Sequence, residues 1–101
     1  MDIKQLRTEI DQIDHSVVEL FCKRMEISGH IAKLKQENNL PIFVPDREDE
    51  VLRTVVSSAD PELREYVYRL YQTILSLSKT YQKSLIQTPV AGDHSDDDEV
   101  I

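Results

Sequence analysis

Glycine, cysteine and aromatic residues are scarce in this chain, and it has no basic excess. Two glycines, four tyrosines and two phenylalanines among 101 residues supply too few turn formers and too little aromatic alternation for a β fold. Helices are expected instead. Cys22 is the only cysteine. It cannot form an internal disulfide, and it fits a reducing compartment. No apolar run approaches the roughly 20 residues of a membrane span. The N-terminus, Met1-Asp2-Ile3-Lys4, lacks the apolar segment of a secretory signal, so a cytoplasmic protein is expected. The formal net charge is −7. Five of those negatives are Asp93, Asp96, Asp97, Asp98 and Glu99, with no Lys or Arg among residues 93–101, so residues 1–92 carry −2. A nucleic-acid binder needs a basic face that this balance does not provide.

Several chemistries are missing as well. No cysteine–histidine spacing suggests a metal site, and His15, His30 and His94 are scattered. There is no glycine-rich phosphate loop. No serine has a histidine and an acid at a suggestive spacing. No metal site is expected from these spacings.

What is present is one long helical pattern. From Ile3 to about Glu37 there is no proline, and apolar residues recur at 3, 6, 10, 13, 17, 20, 27, 31 and 34. Alternating steps of three and four make a heptad seam. The seam position at 24 holds Arg24. Such a helix is about 50 Å long, more than a compact domain of this size needs. Asp2, with Gln5 three residues on, reads as a capping box, and Asn38-Asn39 as the place where the helix frays. Residues 38–45 form a stiff connection, because Pro41 and Pro45 hold their neighbours extended. A short second helix begins at Pro45 or Asp46, where acids sit at the positive end of the dipole. It ends near Ser57-Ser58, with Val51, Leu52 and Val55 as its apolar face. Asp60-Pro61-Glu62 reads as an N-cap and helix start. The third helix runs to about Gln87 with a stripe of Leu63, Val67, Leu70, Ile74, Leu77, Tyr81 and Leu85. No internal repeat is evident. The expected architecture is all-α, three helices (long, short, medium-long), with dimerisation expected for so limited a core. The domain spans residues 1–87, and 88–101 form an acidic disordered tail. Helices one and three differ in length by about ten residues, and a second copy of the chain would cover the excess.

The polar residues beside the apolar seams carry the functional argument. Arg24 and Lys35, eleven residues apart, point within about 20° of each other and lie roughly 16 Å apart along the axis, so their long side chains can grip one small dianion. Arg7 lies about 25 Å from Arg24 along the axis and would serve a site on a second copy. Ser78 and Gln82 share one face of the third helix, and Arg47 and Glu48 flank the apolar face of the second. Each has a structural alternative. Arg24 can snorkel or pair with Glu48 or Glu26, and Lys35 can cover the seam as a solvated flank. Ser78 and Gln82 can make an interhelical contact. Arg47 and Glu48 can be first-turn charges. Taken together the chemistry is cationic and hydrogen-bonding, with no obvious nucleophile. It suits a dicarboxylate and charge that develops in a transition state.

Leu6-Arg7 followed by Ile10, Ile13 and Asp14, then Arg24 with Ile31-Ala32-Lys33-Leu34-Lys35, Pro41-Ile42-Phe43-Val44-Pro45-Asp46-Arg47-Glu48, and Ser78 with Gln82, form an ordered set. It resembles the small all-helical chorismate mutases over residues 1 to about 87. The resemblance implies an intertwined homodimer with two equivalent sites that converts chorismate to prephenate without a cofactor. It implies that Arg24 binds one substrate carboxylate and that Arg7 binds a carboxylate in its partner's site. Lys35 and Gln82 would donate to the ether oxygen, and Glu48 would accept from the ring hydroxyl. Ser78 and Arg47 would complete the polar wall. Val44 departs from the pattern, since many relatives carry an aspartate there. Two other readings stand beside this one: an isochorismate-pyruvate lyase on the same scaffold, and a non-catalytic dimerisation or regulatory module whose polar groups fix register.

Overall fold

The protein is described here by a computed structural model over residues 1–86. Gln87 and the expected acidic tail lie outside the described residues. Helix α1 spans Ile3–Glu37, α2 spans Pro45–Ser58 and α3 spans Arg64–Ile86, with a 3₁₀ turn at Pro61–Leu63 before α3. There is no strand among the described residues. The Asp2 carboxylate accepts from Gln5 N–H at 2.8 Å, and Gln5 Oε1 accepts from Asp2 N–H at 3.2 Å. Two orphan donors of α1 are thereby satisfied. At its other end, Asn38 Nδ2 donates to Leu34 O at 2.8 Å. Asn39 adopts a left-handed φ of 55° that asparagine tolerates.

Asp60 departs from the expected role. Its side chain makes no capping bond. Pro61 opens the 3₁₀ turn, and the turn closes through the backbone, with Leu63 N–H donating to Asp60 O at 2.8 Å. Arg64 instead finishes the preceding helix, donating from Nε to Ala59 O at 3.0 Å and from Nη2 to Ser57 O at 3.3 Å. These carbonyls are at the C-terminal end of α2, where a cation is favoured.

α3 packs against both α1 and α2. Its inward face is Leu75, Ser78 and Gln82, all buried, beside the stripe expected from the sequence. Of that stripe, Leu63, Leu70, Leu77, Tyr81 and Leu85 remain exposed. The facing strip of α1 is small: Ser28, Gly29 and Ala32 are its buried residues. Small residues allow a close approach. A Cβ built on Gly29 would lie 2.8 Å from Leu85 Cδ1 and 3.3 Å from Tyr81 Cε2, so a larger residue there must displace the Leu85 side chain and shift the Tyr81 ring.

The core is correspondingly thin. Among the described residues, Ala32, Val51 and Leu75 are its buried apolar residues, and no large side chain is fully buried. Every residue from 1 to 20 is exposed, and the seam residues Ile3, Leu6, Ile10, Ile13, Val17 and Leu20 keep 38–64% of their surface. The radius of gyration is 17.2 Å and the extents are 58 × 27 × 23 Å. A compact chain of about 100 residues would have a radius near 13 Å. The first half of α1 reaches beyond the other described residues.

Candidate active site

The second half of α1, the 38–45 connection, the start of α2 and the middle of α3 enclose a cleft of about 310 Å³, large enough for a small organic molecule. The connection is held down at Lys35. Its Nζ donates to Ile42 O at 3.0 Å, and its own carbonyl accepts from Leu40 N–H at 2.8 Å. An ammonium has three donors, so two remain free to face the cleft. Pro45 then starts α2, whose first turn presents Arg47 and Glu48 to the same cleft.

Arg24 and Lys35 enter from α1, and Ser28 lies between them at the cleft wall. The Arg24 guanidinium stands over the Tyr71 ring, 5.8 Å from its centroid. Among the described residues no carboxylate pairs with Arg24, neither Glu48 nor Glu26. From α3 come Ser78 and Gln82, both buried. The Ser28 and Ser78 hydroxyls hydrogen-bond each other, and Gln82 Nε2 donates to Ser28 O at 2.9 Å. That bond uses one of two amide hydrogens and fixes the direction of the other. Glu48 pairs across the cleft with Lys79 at 3.1 Å. Arg47 pairs with Glu50 of its own helix at 2.9 Å, and both side chains are largely in solvent.

The structure thus brings together Arg24, Lys35, Val44, Arg47, Glu48, Ser78 and Gln82. Arg7 is not among the lining residues, and lies about 25 Å along the axis from Arg24. Two polar lining residues were not anticipated from the sequence: Ser28 and Lys79. Their spacing carries a signal. Arg24, Ser28, Ile31 and Lys35 step by four, three and four along one face of α1, and Lys79 is three residues before Gln82. Ile27, Ile31, Ile42, Val51 and Leu75 supply the apolar part of the wall. The electrostatic balance is four cations, Arg24, Lys35, Arg47 and Lys79, against the single carboxylate of Glu48. The chemistry of such a cleft suits a small molecule with more than one negative charge, with hydrogen-bond donors supplied from two helices.

A family model described as Chorismate mutase type II matches residues 6–83. The chain is 41% identical over 51 residues to the T-protein of Haemophilus influenzae, covering 50% of this chain and 14% of that one. It is 31% identical over 91 residues to a bifunctional chorismate mutase/prephenate dehydratase of Aquifex aeolicus, covering 83% and 25%. The chain spans about a quarter or less of the length of these curated relatives. A solved structure, a conserved hypothetical protein from Pyrococcus furiosus, shares 44% identity with a TM-score of 0.66, over 79% of this chain and 93% of that one.

Proposed function

The chain belongs to the type II chorismate mutase family, and on that premise we propose that residues 1–87 catalyse the rearrangement of chorismate to prephenate for phenylalanine and tyrosine biosynthesis. The observation that carries this reading is the convergence of Arg24, Lys35, Glu48, Ser78 and Gln82 on one cleft with an apolar floor. The reaction is an isomerisation. One C–O bond breaks as one C–C bond forms, and no group leaves the molecule. It needs a compact reactive conformation and donors where negative charge grows, and no nucleophile. In this reading Arg24 binds a substrate carboxylate. Lys35, held by Ile42 O, and Gln82, held by Ser28 O, direct their remaining donors to the ether oxygen. Glu48 accepts from the ring hydroxyl. Ser78 and Arg47 complete the polar wall, and the Val44 side chain supplies only apolar contact.

The working unit in this reading is a homodimer, with Arg7 reaching the partner's cleft. The exposed seam of α1 supports it. Covering six half-exposed seam residues contributes roughly 1 kcal/mol each, or about 12 kcal/mol for two chains. That is comparable with the cost of association, and the exposed Leu63, Leu70 and Leu77 of α3 add surface beyond it. A cytoplasmic location goes with this reading. Cys22 is free and exposed, and no helix among the described residues is long and apolar enough to cross a membrane.

The direct test is to incubate purified protein with chorismate and identify the product. Prephenate, formed without added metal or cofactor, is expected. Unchanged chorismate would defeat the reading, and pyruvate released from isochorismate instead would move the activity to the lyase class.

A further inference from the structure

Lys79 is the cation of the cleft whose charge is committed to another lining residue, Glu48. Its Nζ lies 3.1 Å from Glu48 Oε2 and 3.4 Å from Oε1, and 4.4 Å from the centroid of the Phe43 ring. The ammonium is therefore held between a carboxylate of α2 and an aromatic face of the connection. Both members of the pair are sheltered, with side-chain exposures of 31% for Lys79 and 23% for Glu48. Arg47, the neighbour of Glu48 in sequence, gives its guanidinium to Glu50 in the solvent. Among the described residues no other cation forms an ion pair with Glu48.

We propose that Lys79 is a positioning residue that fixes the Glu48 carboxylate at the cleft wall, in the orientation needed to accept a hydrogen bond from the substrate. This inference rests on the mutase reading of the cleft. A glutamate has three freely turning side-chain bonds, and an untethered carboxylate would spend that freedom in several orientations. A carboxylate has about four acceptor sites. Lys79 occupies those on one side and leaves the rest for a ligand. Phe43 in turn limits where the ammonium can go, so the orientation of Glu48 is passed from the connection through Lys79. The effect on catalysis runs through placement: a small displacement of an aligned group lowers the rate of a reaction that depends on geometry.

The experiment measures kcat and KM for chorismate with the full chain as wild type, Lys79→Met, Lys79→Arg, Glu48→Gln and the double variant Lys79→Met/Glu48→Gln. Lys79→Met is expected to lower kcat/KM about tenfold, mainly through kcat. Lys79→Arg keeps the charge over Phe43 and should stay within about threefold of wild type. In the Glu48→Gln background, Lys79→Met should cost less than about twofold more, because its target is already gone. An equal loss in both backgrounds would overturn the inference and make Lys79 a direct substrate ligand. No loss in Lys79→Met would overturn it as well. If Lys79→Met fails to fold by circular dichroism, Lys79→Gln takes its place in the same cycle. A wild type that makes no prephenate defeats the mutase reading and this inference with it. An active wild type with uncoupled variants defeats the inference alone.

Discussion

The two halves of α1 carry one heptad pattern and meet two different environments. Residues 3–20 lie exposed on every face, apolar seam included. Residues 24–35 bury Ser28, Gly29 and Ala32 against α3 and turn Arg24 and Lys35 into a cleft. In the first half the seam is regular and polar residues are kept off it. In the second half Arg24 breaks it. A helix whose apolar face lies bare can only be stable with something laid against it, since tertiary packing supplies most helical stability in water. Within one chain, then, the regular half of the helix is surface and the irregular half is site. The dimer reading reconciles the two, because it makes the regular half an interface and lets it carry Arg7 across.

The largest effect that would break this contrast is expected from a charge in the regular half. Val17 is exposed in the single chain, so Val17→Asp should be harmless if the chain works alone. If the seam is an interface, two-fold symmetry buries two carboxylates, one from each chain, at a cost of several kcal/mol each. The variant is then expected to become a monomer with much of its helix lost and no measurable mutase activity. Sedimentation equilibrium and circular dichroism decide this, and an unchanged oligomeric state in Val17→Asp would remove the seam from the interface.

The irregular half is expected to respond in another way. Arg24→Ala removes a cation that pairs with no carboxylate among the described residues, so the fold should hold. Activity should fall about a thousandfold, the scale for losing one charged donor from a pre-organised site. Arg7→Ala should be comparably inactive although its residue is far from its own cleft. Mixing the two inactive chains should return half of the wild-type activity to each heterodimer, since one of its two sites holds both arginines. Failure to recover activity after verified subunit exchange would count against a shared site.

How legible this was follows from what period and composition encode. Helix starts and stops are local, so Asp2, the two asparagines and Pro45 marked them well. Which face of a helix meets which neighbour is not local. On α3 the period picks out the most apolar stripe, yet the chain buries Leu75, Ser78 and Gln82 and leaves Leu70 and Leu77 exposed. A stripe that belongs to a second chain has the same signature as one that belongs to the first. The cleft residues Arg24, Lys35, Ser78 and Gln82 stood out because they interrupt or flank apolar rows. Lys79 did not, because a lysine on a helix is ordinarily solvent-facing, and only the approach of Phe43 and Glu48 from elsewhere in the chain gives it a role. Ser28 was hidden likewise, being a small residue whose partners, Ser78 and Gln82, lie 50 and 54 positions away.

The smallest expected effect lies where the site and the fold share one position. Val44 lines the cleft and is also the N-cap of α2, with φ −127° and ψ 95° and no side-chain capping bond. Its carbonyl accepts from Arg47 N–H at 3.0 Å and Glu48 N–H at 3.1 Å, as an N-cap carbonyl should. Its side chain leaves the first N–H groups of α2 without a cap. Val44→Asp would supply one, worth about 1 kcal/mol, and would place a negative charge at the positive end of the helix. The same carboxylate would enter the cleft beside Lys35, Arg47 and Lys79, where it can take up positive charge meant for substrate. The expected outcome is a higher urea midpoint together with a KM that changes by less than about threefold. A stabilised variant with unchanged KM would mean that this position serves the helix alone. A KM that falls well beyond that factor would mean that the carboxylate contacts the substrate and that valine limits affinity in this chain.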